Sequence, residues 1–276
     1  MEKQGWITQG ADSVAGEGGA IGQAGSIRHM LADRFWASGM QTLVQLVYPP
    51  RCLGCGGMVE SDFGLCGACW RDTPFIGGLS CDSCGTPLPG ESDQAEHCDE
   101  CLETTRPWSQ GRAALLYKDK ARHLVLGLKH GDRQDIAKPA ARWMARSCRD
   151  IVQSETLVVP IPLHLHRHLA RRYNQSALLA EALAEELGLD WCPDALERRR
   201  PTPSLNGQTP HQRFETLSGR ISVSPWRAEL MQNRHVLIVD DVFTSGATLS
   251  AATDACFAAG ASDVSVSVLA RVAKDT

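Results

Sequence analysis

The chain has 276 residues and a net charge of −4, from 28 Lys and Arg against 32 Asp and Glu, which excludes a globally basic nucleic-acid binder. The charge is segregated: residues 1–105 carry −9, residues 106–150 carry +7 and residues 151–276 carry −2. No apolar run of about 18 residues occurs, and the Gly- and Ala-rich N-terminus has no apolar h-region, so neither a membrane span nor a secretory signal is expected and the expected location is the cytoplasm.

Residues 1–25 read as a flexible tail, rich in glycine and poor in large apolar groups. A helix is expected over 26–47, capped by Ser26, with Met30, Phe35, Leu43 and Leu46 as apolar contacts; Tyr48-Pro49-Pro50 stops it. Residues 51–105 form a cysteine-rich module, and Pro107 marks a boundary to a second domain over 106–276. Beyond it strands and helices alternate. Strands are expected over 113–117, 157–161, 236–239 and 264–269. Helices are expected over 120–130 and 134–152, over a stretch capped by Asn174 and ended by Gly188, and over 247–259. Residues 162–173 and 197–213 read as loops. This order predicts an α/β fold with a parallel sheet wrapped by helices, preceded by a small metal module.

Eight of the 11 cysteines stand in four C-x-x-C pairs: Cys52/Cys55, Cys66/Cys69, Cys81/Cys84 and Cys98/Cys101. Each knuckle presents two thiolates to one tetrahedral ion, and two knuckles complete a site, so two structural zinc ions are expected. Sequential pairing closes the shorter loops and is favoured, with a cross-braced arrangement as the alternative. The module has too few large apolar residues to fold without metal. His97 is a candidate substitute ligand, although solvent exposure suits it better. Cys148, Cys192 and Cys256 read as structural.

The segment His235–Leu249 carries the most chemistry. Val236–Val239 form a buried strand with Asp240 and Asp241 at its C-terminal end, followed by Val242 and Phe243 and by the loop Thr244-Ser245-Gly246-Ala247-Thr248 that opens a helix. In parallel sheets, ligands bind at the carboxyl ends of strands. Gly246 lets backbone N–H groups approach a phosphate, and the hydroxyls add donors. The two carboxylates suit two adjacent ribose hydroxyls, directly or through Mg²⁺. The expected ligand is a phosphorylated sugar. The motifs of nucleoside triphosphate and dinucleotide sites are missing.

This segment resembles the 5-phosphoribosyl-1-pyrophosphate (PRPP) motif of type I phosphoribosyltransferases. The whole chain resembles the competence protein F (ComF, ComFC or GntX) family over about residues 40–272. The resemblance also rests on Tyr-Pro-Pro-Arg-Cys-Leu-Gly-Cys (48–55), Leu-Lys-His-Gly-Asp (128–132), Val-Pro-Ile-Pro-Leu (159–163) and Arg-Arg-Tyr-Asn-Gln (171–175). It implies a double zinc ribbon joined to a type I phosphoribosyltransferase-like domain, and an association with uptake of single-stranded DNA in natural transformation. Under it, Asp240 and Asp241 are the catalytic pair, and residues 242–248 hold PRPP with Mg²⁺. Arg171, Arg172 and Lys129 are candidates for the pyrophosphate, as are Arg198, Arg199 and Arg200 from a loop. The chain departs from the family in having Arg172 where glycine is usual, Leu205 for glutamine, Thr216 for asparagine, and Arg220-Ile221 for Ala-Phe.

His164, His166 and His168 read as phosphate neighbours or solvent-facing groups rather than a metal tract. Two functions remain: an active phosphoribosyltransferase with an unidentified acceptor, and a non-catalytic DNA-uptake factor that keeps PRPP binding as a scaffold or sensor. If DNA binds, the basic segment is its expected place, through Arg133, Lys138, Arg142, Arg146 and Arg149, with Trp143 either adding an aromatic face or buried in the core.

Overall fold

The structure is a computed structural model that describes residues 49–59, 64–130, 132–163, 173–198, 212 and 219–273. The tail and helix expected before Tyr48, the three histidines, Arg171, Arg172, Arg199 and Arg200, and the departures at Leu205 and Thr216 lie outside the described residues.

From Pro50 onward the chain forms one compact unit. Its elements in order are α1 (Gly67–Arg71), α2 (Asp99–Glu103), β1 (Gln110–Leu116), α3 (Asp119–His130), α4 (Ala137–Cys148), β2 (Leu157–Pro160), α5 (Gln175–Leu187), β3 (Asp190–Trp191), β4 (Leu196–Arg198), β5 (Ile221–Val223), β6 (His235–Phe243), α6 (Ala247–Ala258) and β7 (Asp263–Arg271). A five-stranded sheet runs β1-β7-β6-β2-β3, with every neighbouring pair parallel. Strands β4 and β5 pair antiparallel beside it.

The sheet is buried on both faces, which is why its strands read as apolar runs rather than alternations. Successive side chains still point to opposite faces. Leu237 and Val239 of β6 join one core with α3, α4 and α5. Val236 and Ile238 join the other, with α6 and the β4–β5 pair. No helix among the described residues is long and apolar enough to cross a membrane.

The helix expected over 134–152 is a 3-10 turn at Gln134–Ile136, then α4, then a second 3-10 turn at Arg149–Ile151. Pro139 explains the start. In the first turn of α4 its missing N–H has no partner to lose, whereas a helix begun at 134 would need that donor. The loop expected over 197–213 begins inside β4.

The cysteine module shares its core with the sheet. Cys52, Leu65 and Cys69 belong to the α3–α5 face. Cys81, Cys84 and Cys101 belong to the opposite face, with Trp108 and Phe243. The second half is fastened tightly to β1: the Trp108 indole donates to the Ser83 carbonyl at 2.6 Å, and Gly111 N–H donates to the Asp82 carbonyl at 2.7 Å. A Cβ at Gly111 would collide with the Ser83 carbonyl oxygen, so only glycine permits this approach.

Candidate functional site

The knuckles pair sequentially. Cys52, Cys55, Cys66 and Cys69 form one cluster and Cys81, Cys84, Cys98 and Cys101 the other, with the sulfurs of each within 4.8 Å of one another. A zinc ion about 2.3 Å from each sulfur of a tetrahedron requires sulfurs about 3.8 Å apart. Cys55 and Cys66 stand 3.8 Å apart and Cys84 and Cys98 3.6 Å apart, so the donor sets fit the ion. The Cys66 N–H donates to Cys52 Sγ at 3.2 Å, as backbone amides do around bound thiolates. Four thiolates per site leave no position for a reactive water, which makes both sites structural. His97 pairs with Ser83 Oγ at 3.1 Å and is not among the sulfur ligands.

On β6, Asp240 and Asp241 stand toward the carboxyl end of a central strand, and two other stretches converge on them. Lys129, from the end of α3, reaches Asp241 at 3.0 Å. Ser176, in the first turn of α5, donates its hydroxyl to Asp240 at 2.8 Å. The Asp241 N–H donates to the same Asp240 oxygen at 2.9 Å. The entry into α5 is tied to neighbouring stretches through carbonyls: Tyr173 Oη donates to Leu128 at 2.9 Å, Asn174 Nδ2 to Ile161 at 3.1 Å and Gln175 Nε2 to Lys129 at 3.3 Å. Asn174 also caps α5 by accepting from the Ser176 N–H. Burial and the neighbouring Asp241 push the Asp240 carboxyl up to about 7, against the opposing pull of Lys129 and the Ser176 hydroxyl.

Beyond the pair the backbone turns at Gly246, whose φ of +82° is open to glycine at little cost, and α6 begins at Ala247. Thr244 is exposed, and Ser245 and Thr248 are half-buried, with Ser245 Oγ accepting from the Ala247 N–H at 3.5 Å. Phe243, expected at the ligand, is instead 1% exposed beneath the turn, where a Cβ at Gly246 would come within 2.8 Å of its ring.

Sequence reasoning missed the groups that hold this turn from below. Arg106 donates to the Ser245 carbonyl at 3.0 Å and to Glu100 at 2.7 Å. Arg271, ending β7, donates to the Thr244 carbonyl at 2.8 Å and to the other Glu100 oxygen at 3.0 Å. Their guanidinium carbons lie 5.5 and 4.3 Å from the Phe243 ring centroid. The one available signal was a charged residue closing the apolar run of β7. Ser176 was missed as well, being one residue past the motif that ends at Gln175. Arg198 lies on β4.

The fold and its two clusters define a phosphoribosyltransferase-type domain carrying a double zinc ribbon. The family described as "Double zinc ribbon domain" matches residues 43–102, and that described as "Phosphoribosyl transferase domain" matches residues 132–276. The chain is 32% identical over 217 residues to DNA utilization protein YhgH of Salmonella typhimurium, covering 76% of this chain and 92% of that protein. It is 27% identical over 227 residues to competence protein F of Haemophilus influenzae, covering 80% of this chain and 96% of that protein. A solved structure of the allosteric regulatory enzyme of purine biosynthesis matches 52% of this chain and 30% of its own, at 18% identity and a TM-score of 0.36. The chain belongs to the competence protein F family.

Proposed function

We propose that the chain binds PRPP with Mg²⁺ at residues 240–248, and that it transfers the phosphoribosyl group to an acceptor with release of pyrophosphate. The observation that carries this is the adjacency, within one continuous segment, of a carboxylate pair and a glycine-opened helix N-terminus. The first suits a vicinal diol and a divalent cation. The second suits a phosphoryl group.

In the reaction a lone pair on the acceptor forms a bond to the anomeric carbon. The bond from that carbon to the pyrophosphate oxygen breaks, its electron pair leaves with pyrophosphate, and the acceptor's proton passes to solvent. Mg²⁺, when bound, supplies charge neutralisation for the departing pyrophosphate. The chain supplies position and electrostatics, so no covalent nucleophile is needed. Asp240 and Asp241 orient the ribose, the amides and hydroxyls of 244–248 hold a phosphoryl group, and Lys129, displaced from Asp241 by the ligand, becomes available to the pyrophosphate. Arg171 and Arg172, which follow β2 in the sequence, are proposed as its further partners.

The relatives are named for DNA utilization and competence. We carry that setting to this chain as part of the proposal, with single-stranded DNA as the macromolecular partner. Arg146 and Arg149 on the α4 side are its proposed contacts. Lys138 and Arg142 lie 3.9 and 3.7 Å from Glu185 and Glu186, and Trp143 is 5% exposed in the core.

Calorimetry of the full chain with PRPP is expected to give saturable binding that requires Mg²⁺ and strengthens with pH. The Asp240 carboxyl, held near 7, must lose its proton to serve the cation or the diol. Affinity, corrected for the ligand's own ionisation, should therefore rise about tenfold between about pH 6 and pH 8, with proton release on binding. Folding stability runs the other way. A carboxyl raised from 3.8 to about 7 favours the folded state when protonated, so its contribution is present at low pH and is lost as pH rises through about 7. Pyrophosphate release in the presence of free bases or single-stranded DNA separates transfer from binding alone. Saturable binding with no release under any acceptor would leave the non-catalytic scaffold or sensor.

A further inference from the structure

We propose that the second cysteine cluster, and not the first, sets the backbone of the phosphate turn, with Glu100, Arg106 and Arg271 as the positioning residues that carry the constraint. The proposal deepens the PRPP reading above and rests on it for its consequence in ligand binding.

Glu100 stands between Cys98 and Cys101 on α2, so a metal ion held by those sulfurs fixes where its carboxylate lies. Each carboxylate oxygen accepts from a different guanidinium, and the side chains of Arg106 and Arg271 are both 2% exposed. Two buried cations converge on one carboxylate, with Arg106 also drawn to the Cys101 thiolate and Arg271 to that of Cys84, so removing the carboxylate takes away the group that both guanidiniums bond. Beyond Glu100, the guanidiniums reach the carbonyls of consecutive residues, Thr244 from Arg271 and Ser245 from Arg106.

The direction of those carbonyls matters. In a trans peptide the C=O and the following N–H point opposite ways. Pinning the Thr244 and Ser245 carbonyls toward the protein therefore turns the Ser245 and Gly246 amides away from the arginines. That side is the open one, where Thr244 is exposed. Successive amides aimed at one point form an anion-binding concavity, and here their aim is set from beneath by the cluster. The first cluster meets other elements: Lys120 of α3 lies 3.6 Å from Cys69 Sγ, and Gly64 packs against Pro139 of α4.

The test is amide hydrogen exchange of residues 243–250 in the full chain without ligand, read beside zinc content and PRPP affinity. Glu100→Gln removes the shared counter-charge and leaves every thiolate. It is expected to keep two zinc ions, to raise exchange in the turn by about tenfold or more, and to weaken PRPP binding. Arg106→Lys keeps the cation but cannot fork to both Ser245 and Glu100; it should move the same readouts in the same direction and serves if Glu100→Gln fails to fold. Lys120→Gln, beside the first cluster, should leave exchange in the turn unchanged. Unchanged turn exchange in the zinc-loaded Glu100 or Arg106 variant would overturn the proposal, as would an equal response to Lys120→Gln. If the turn responds as expected but the wild-type chain binds no PRPP, the anchor stands and the ligand assignment falls.

Discussion

Replacing Asp240 and Asp241 together by asparagine is expected to abolish Mg²⁺-dependent PRPP binding while the domain remains folded. Both carboxylates lie at the end of β6, and their present partners are local: Ser176 for Asp240 and Lys129 for Asp241. A hydrogen bond to a charged group contributes about 1.5–3 kcal/mol, so losing one at each position weakens affinity by about 3–6 kcal/mol, beyond the range of most titrations. Folding should survive. Asparagine keeps the size of each side chain, and its amide oxygen can still accept from the Ser176 hydroxyl. Removal of the Asp240 charge also relieves a burial cost that already raises its carboxyl. The measurements are calorimetric affinity and thermal midpoint. Unchanged affinity in the double variant would mean that the ribose lies elsewhere.

Serine in place of Cys81 is expected to have the larger effect on the fold. Cys81 is fully buried and shares its core with Trp108, Phe243 and the apolar residues of α6. In zinc-finger peptides, binding a structural zinc contributes about 10–16 kcal/mol, while whole domains are stable by about 5–15 kcal/mol. Loss of one ligand at a site embedded in the sheet's own core therefore threatens the entire unit from Pro50 onward. Elemental analysis should fall from about two zinc ions per chain to about one, and the cooperative thermal transition should disappear or drop steeply. Two zinc ions in the wild-type chain with an unshifted transition in Cys81→Ser would contradict this. Disulfides in place of zinc in the purified chain would contradict the premise.

The parts legible in the sequence were those written in contiguous residues. Val236–Val239 marked a buried strand, and the structure has β6 there as a central strand that runs on through Asp240 and Asp241 to Phe243. The C-x-x-C spacing marked the knuckles, and loop closure favoured the sequential pairing now seen. What escaped was set by distance along the chain. Arg106 reaches Ser245 across 139 residues and Arg271 reaches Glu100 across 171, and no local pattern announces either contact. Strands β3 and β5, of two and three residues, are shorter than any window in which alternation can be recognised. The basic character of 106–150 was real as a sum, yet the fold reduces it. Arg112 pairs with Asp82 and Asp150, and two other cations lie close to Glu185 and Glu186 on α5. Charge counted along a segment cannot register partners brought from another helix.

The most direct test of PRPP binding at β6 is an experimental structure of the full chain with PRPP and Mg²⁺. The ribose diol is expected over Asp240 and Asp241, a phosphoryl group against the amides of 245–248, and Lys129 withdrawn from Asp241. PRPP bound away from β6 and the turn at Gly246, or a turn left empty at saturating ligand, would contradict it.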